Sequence, residues 1–89
     1  MIERKIIIIN KLGLHARAAA KLVRLAAAFS SHIEVKTQCK TANGKSIMGL
    51  MMLAAAQGVE ITLTVDGDDE KEACSAVETL INQRFDEKE

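Results

Sequence analysis

Proline, tryptophan and tyrosine are absent from this chain of 89 residues, and its only aromatic side chains are Phe29 and Phe85. Proteins that read single-stranded RNA stack its bases on aromatic platforms, and two phenylalanines do not make one. Charge of one sign is also lacking: twelve Lys and Arg balance twelve Asp and Glu. Without a basic excess there is no electrostatic footprint for a polyanion. Both absences exclude nucleic acid as a partner. Cysteine is scarce, and Cys39 and Cys74 have neither metal-ligand spacing nor the number for a disulfide framework. They read as reduced thiols in a reducing compartment. Long apolar runs are missing from the N-terminal region, where Ile6 to Ile9 is far too short for a signal peptide or a membrane span. The expectation is a soluble, cytoplasmic protein with no membrane insertion.

What is present is enough for one domain, residues 1–89, with one core. A chain this short buries roughly 60–65% of the surface it exposes when unfolded. A single sheet covered on one face by helices fits that limit; a deep closed cavity does not. Chemistry is therefore expected at the surface, shared with a partner.

Ile6 to Ile9 reads as a strand buried on both faces or nearly so. Asn10 to Gly13 reads as a loop, followed by a helix from Ala16 to Phe29 with Leu22, Leu25, Ala26 and Phe29 on one face. Arg17, Lys21 and Arg24 form a basic stripe on another face of that helix. His32 to Lys36 is a short strand, Lys40 to Asn43 a weak one. Ser46 stands where a helix N-cap belongs, before the short apolar helix Ile47 to Leu53. Ile61, Leu63 and Val65 alternate with Thr62 and Thr64 in the clearest strand of the chain. Asp69 and Glu72 have capping-box spacing ahead of a last helix running to Arg84. Its core stripe is Ala73, Ala76, Val77, Leu80 and Ile81. The tail from Asp86 to Glu89 is charged and is expected to fray. The order β-α-β-β-α-β-α points to an α+β two-layer sandwich.

The chemistry concentrates in Gly13-Leu14-His15-Ala16-Arg17. His15 stands about where a helix begins, and the first N–H groups of a helix, here those of Ala16 and Arg17, have no intrahelical partner. With the helix dipole they make an anion site. Gly13 permits a tight turn before the helix. Arg17 can bring a forked cation to the same phosphate. A histidine offers a neutral nucleophile near physiological pH, and imidazole can attack phosphorus and later leave again. The five residues thus describe a reversible phosphate-parking site. They equally describe a surface histidine at a helix start, and the pentapeptide alone does not separate the two.

Gly13-Leu14-His15-Ala16-Arg17-Ala18-Ala19 resembles the active-site signature of HPr, the histidine phosphocarrier family of the bacterial phosphotransferase system. Gly44-Lys45-Ser46-Ile47-Met48-Gly49-Leu50 resembles the same family's regulatory serine site. Length, element order and Gln57-Gly58 agree, so nearly the whole chain is covered. The resemblance implies an open-faced sandwich, a four-stranded antiparallel sheet with three helices on one face. It implies a carrier, not an enzyme, needing no cofactor and no metal. It implies that His15 takes a phosphoryl group from enzyme I, usually on the δ1 nitrogen, beside Arg17, and passes it to an enzyme IIA domain. It implies that Ser46 is the site of an HPr kinase/phosphorylase in bacteria that have one. Many members have Pro directly after the arginine, where this chain has Ala18; Ala is the best helix former, so the helix should still start. Asn10-Lys11-Leu12 looks like the nitrogen-related branch of the family, whereas the Ser46 segment looks like the kinase-regulated members. Sugar uptake and nitrogen or carbon signalling stay separate readings.

A short helix that is apolar all round cannot be buried on every side by a single-layer sheet. Leu50 and Leu53 are assigned to the core, and Ile47, Met48 and Met51 to an exposed patch suited to docking. The basic stripe of Arg17, Lys21 and Arg24 would flank that patch and select acidic partners. A phosphate on Ser46 would suit its own helix while repelling such partners. The alternative is a regulatory binding module acting mainly through Ser46 and the Met-rich helix; the pairing of His15 with Arg17 counts against it. His32 reads as structural, and Asp66, Asp68, Asp69 and Glu70 as turn and cap residues rather than a metal site. The chain is expected to be a monomer.

Overall fold

The computed structural model describes residues 1–88. The elements are β1 (Ile2–Ile7), α1 (Ala16–Ala26), β2 (His32–Lys36), β3 (Thr41–Asn43), α2 (Ile47–Met52), β4 (Glu60–Asp66) and α3 (Glu70–Asn82). A single turn follows at Arg84–Asp86. The four strands form one antiparallel sheet in the order β1-β4-β2-β3. It is an open sandwich: the helices cover one face and the other face stays polar.

Alternation along β4 sets this division. Ile61, Leu63 and Val65 point into the core, between Ile6 of β1 and Ile33 and Val35 of β2 in register. Glu3, Lys5, Glu34 and Lys36 lie on the outer face with Thr62 and Thr64. α1 packs against both α2 and α3, while α3 lies on β1 and β4 and α2 on β3. Leu22, Leu50, Val77, Ile81 and Phe85 close the core from the helical side.

Four sequence expectations change here. The run Ile6 to Ile9 is not buried on both faces: Ile6 and Ile8 are buried, but Ile7 is 45% exposed. The strand also starts earlier, because Glu3, Arg4 and Lys5 pair with β4 despite their charge. α1 stops at Ala26, three residues short of Phe29. Asp69 stands at the N-cap of α3 but makes no capping hydrogen bond. Its carboxylate accepts instead from the backbone N–H groups of Ser30 (2.9 Å) and Ser31 (3.0 Å) and from the Ser31 hydroxyl. The Ser31 hydroxyl first, and then the Ser30 N–H, holds the Asp69 carboxyl below its ordinary value. The residue thus ties the end of α1 to the start of α3.

The tail departs most from expectation. Arg84, Phe85 and Asp86 have φ of 58°, 54° and 63°, three consecutive left-handed residues without a glycine. Phe85 is completely buried, and its carbonyl accepts from the Lys21 ammonium at 2.7 Å. The tail does not fray here but folds back on α1. Glu89 lies outside the described residues.

Candidate functional site

The loop between β1 and α1 is held against the end of α2. Ala54, with φ of 52°, turns the chain out of α2. The Ala55 carbonyl then accepts from the Leu14 N–H at 2.8 Å. Gly13 sits at this crossing with φ of 68°, and a Cβ there would lie 2.5 Å from Ala55 O and 2.8 Å from Ala56 Cα. Gly13→Ala is expected to lose about 2 kcal/mol or more of stability, from left-handed strain together with the backbone clash. Urea unfolding checks this, and an unchanged midpoint would show that the crossing does not constrain residue 13.

His15 is the N-cap residue of α1, in extended backbone, and its side chain makes no capping hydrogen bond. The first helical bond runs from the Ala19 N–H to the His15 carbonyl at 2.8 Å. The N–H groups of Ala16, Arg17 and Ala18 therefore have no acceptor within the helix. They form the positive end of the helix dipole beside the imidazole.

A residue that local pattern did not single out completes the site. Glu87 brings Oε2 onto His15 Nε2, with the two side chains 14% and 26% exposed. Its other oxygen accepts from Asn10 Nδ2 at 3.0 Å, and the same amide donates to the Gly13 carbonyl at 2.8 Å. Burial pushes the Glu87 carboxyl up. The hydrogen bonds from Asn10 and His15 and the charges of His15 and Arg17 outweigh that, and hold it below its ordinary value. One signal in the sequence does mark this segment: Phe85, a lone large apolar residue in a polar tail, is an anchor that fixes its neighbours.

Arg17 is exposed and lines a groove of about 580 Å³ with Leu12, Lys21, Asp86 and Glu87. Its charge reaches Glu87. Lys21 and Arg24 line a second groove with Leu80 and Asp86, on the side of α1 that faces α3 and the tail. The basic stripe therefore borders the tail, where Lys21 donates to the Phe85 carbonyl. On α2, Ser46 is the N-cap and its hydroxyl accepts from the Gly49 N–H at 3.1 Å. Leu50 and Leu53 are buried, while Ile47, Met48 and Met51 are exposed, with Met52 beside them. Six helical residues span about 9 Å, so Ser46 stands at the far end of α2 from the Ala55 crossing that supports His15.

The arrangement is an imidazole beside helix N–H donors without an intrahelical acceptor and an exposed guanidinium, at the surface. That combination suits a group that arrives on one protein and departs on another. Residues 2–83 match the family model for the PTS HPr component phosphorylation site. The phosphocarrier protein HPr of Neisseria meningitidis serogroup B is 54% identical over 89 residues, covering 100% of both chains. The crystal structure of HPr-C-His from Thermoanaerobacter tengcongensis superposes with a TM-score of 0.95 at 48% identity, covering 100% of both chains. A crystal structure of an HPr dimer from the same organism matches with a TM-score of 0.78 at 49% identity, over 98% of this chain and 100% of that one. Among the described residues, no helix is long and apolar enough to cross a membrane.

Proposed function

The chain belongs to the HPr family of phosphocarrier proteins, and from that premise we propose that His15 accepts a phosphoryl group from enzyme I and passes it to an enzyme IIA domain. A protein of this family is not a catalyst; it is the transiently phosphorylated carrier of the bacterial phosphotransferase system. The observation that carries the assignment to His15 is its place at the N-cap of α1, with its side chain unspent on capping. A phosphate on that ring lies within reach of N–H groups that have no other acceptor. Arg17 adds a cation that is exposed and able to follow the phosphate. These groups supply binding and charge, and the imidazole supplies the bond. The carrier works in the cytoplasm and as a monomer on this reading.

Docking falls to the exposed face of α2. Ile47, Met48 and Met51 form an apolar surface that a partner can dehydrate, and methionine adapts to partners of different shape. Lys21 and Arg24 steer acidic partners from the other side of α1. Intact mass after incubation with enzyme I and phosphoenolpyruvate tests the reading: one acid-labile phosphoryl group supports it, and none overturns it.

Ser46 is the regulatory site, a substrate for an HPr kinase/phosphorylase. Its phosphate would add about two negative charges at a helix N-cap, where they suit the dipole. It would stand beside the docking patch and well away from His15, so its effect runs through partner binding. Ser46→Asp is expected to slow uptake from enzyme I about tenfold, which 1.4 kcal/mol of repulsion supplies, and less so at high salt. Ser46→Ala, by contrast, loses only about 1 kcal/mol of capping and keeps the parent rate. An Asp variant as fast as the parent would remove Ser46 from the scheme.

A further inference from the structure

We propose that Glu87 is a positioning residue: it holds the Nε2–H of His15 and so directs phosphoryl transfer onto Nδ1. The proposal deepens the assignment of His15 as the phosphoryl acceptor and rests on it.

The argument is one of donors and acceptors. An ionised carboxylate only accepts. One Glu87 oxygen takes the Asn10 amide N–H at 3.0 Å, and the other meets His15 Nε2. The proton between them therefore belongs to the ring, on Nε2. A neutral imidazole has one N–H and one lone pair, so the lone pair stands on Nδ1. Nothing in the helix consumes that lone pair, because the His15 side chain makes no capping bond. Nδ1 is thus the ring's only nucleophilic nitrogen while Glu87 is in place.

The same contact assists the charge balance of the step. The Nδ1 lone pair forms the new N–P bond. The donor's N–P bond breaks, and its electron pair stays on the donor's imidazole nitrogen. The His15 ring becomes an imidazolium that still carries its Nε2–H. No proton need leave, and the Glu87 carboxylate stabilises the positive charge as it develops. When the phosphoryl group moves on, the pair returns to Nδ1 and the ring is neutral again. A carboxylate that orients an imidazole and supports its cation is a known arrangement of serine hydrolases; here it supports a nucleophile rather than a base.

Glu87 is held to this task from outside the site. Phe85 is wholly buried two residues before it, and Lys21 donates to the Phe85 carbonyl at 2.7 Å. Asn10, itself buried, links the carboxylate to the loop that carries His15. The charge of Arg17 reaches Glu87, and the groove that Glu87 lines also holds Lys21 from α1, Lys11 from the loop, and Asp86 and Lys88 from the tail.

The test uses the full chain with His32→Ala, so that one imidazole reports. Imidazole nitrogen NMR is recorded before and after treatment with phosphoramidate, a small donor that needs no partner protein, for the Glu87 chain and for Glu87→Ala and Glu87→Gln. With Glu87 the expected result is a slowly exchanging Nε2–H and phosphorylation on Nδ1 alone. With Glu87→Ala, exchange of that proton speeds up at least tenfold and Nε2-phosphohistidine appears as a substantial product. Glu87→Gln retains an acceptor oxygen and restores the Nδ1 product, an outcome that a merely structural role would not give. A Glu87→Ala chain with unchanged exchange and Nδ1 product alone overturns the proposal, as does Nε2 phosphorylation with Glu87 present. These readouts do not involve enzyme I, so a chain that keeps its clamped proton but takes nothing from enzyme I overturns only the carrier reading.

Discussion

Replacing His15 by alanine is expected to abolish phosphorylation by enzyme I and phosphoenolpyruvate, a loss on the order of 10³-fold or more. The variant keeps every other part of the site. The N–H groups of Ala16, Arg17 and Ala18 still point outward at the start of α1, and Arg17 still lines its groove. These groups hold a phosphate and spread its charge, but none of them forms a bond to phosphorus. Removing an assisting group leaves a weakened reaction; removing the nucleophile leaves no reaction to assist.

The loss should also be complete because the chain has only one other imidazole. His32 opens β2 on the outer face of the sheet, in register with Asp66 and 3.1 Å from Glu34. It is remote from the helix start, and His32→Ala is expected to phosphorylate like the parent. The fold should survive His15→Ala, since the side chain is part-exposed and caps nothing. Intact mass with and without mild acid separates the outcomes. An acid-labile phosphoryl group on the alanine variant would move the acceptor elsewhere and end the His15 assignment.

What the sequence made legible divides by distance along the chain. The start of α1 at Ala16, the Ser46 cap and the alternation of β4 are local patterns, and the structure has them at those residues. β3 is three residues long and could be read only weakly, because so short a strand owes its existence to its partner β2. β1 departs from its pattern for a related reason. Four isoleucines in a row suggest burial on both faces, but a sheet with one open face exposes Ile7 and recruits the charged residues before it. Contacts made by charged side chains across the fold have no period at all. Asp69 bonds to Ser30 and Ser31, and Glu87 to Asn10 and His15, from the far end of the sequence. A carboxylate in a polar tail reads as solvated unless something nearby is anchored. Here the anchor is Phe85, and its energetics decide whether the site is whole.

Phe85→Ala is expected to destabilise the protein by about 3–5 kcal/mol, the usual range for a buried phenylalanine, and to lower the Tm by more than about 10 °C. The turn that Phe85 anchors is nearly balanced with the ring in place. Three left-handed residues cost roughly 1–2 kcal/mol each. Against that stand the burial of the ring, about 1.5–3 kcal/mol, and three hydrogen bonds of about 1 kcal/mol each. Those bonds are Asp86 N–H to Gln83 O, Glu87 N–H to Arg84 O, and Lys21 Nζ to Phe85 O. With the ring gone the balance turns, and the tail is released from α1. The core loses the ring whether the tail stays or leaves, so the stability loss does not depend on which occurs. The site does depend on it. Release of the tail withdraws Glu87 from His15, and the Nε2–H of His15 should then exchange as fast as in Glu87→Ala. Phe85→Leu, which refills most of the volume, should recover both the Tm and the slow exchange to a large extent. A thermal scan and imidazole NMR on the three chains decide it. A Phe85→Ala protein with a parental Tm would deny the anchor, and one that is destabilised but keeps the slow proton would show that Glu87 holds its place without it.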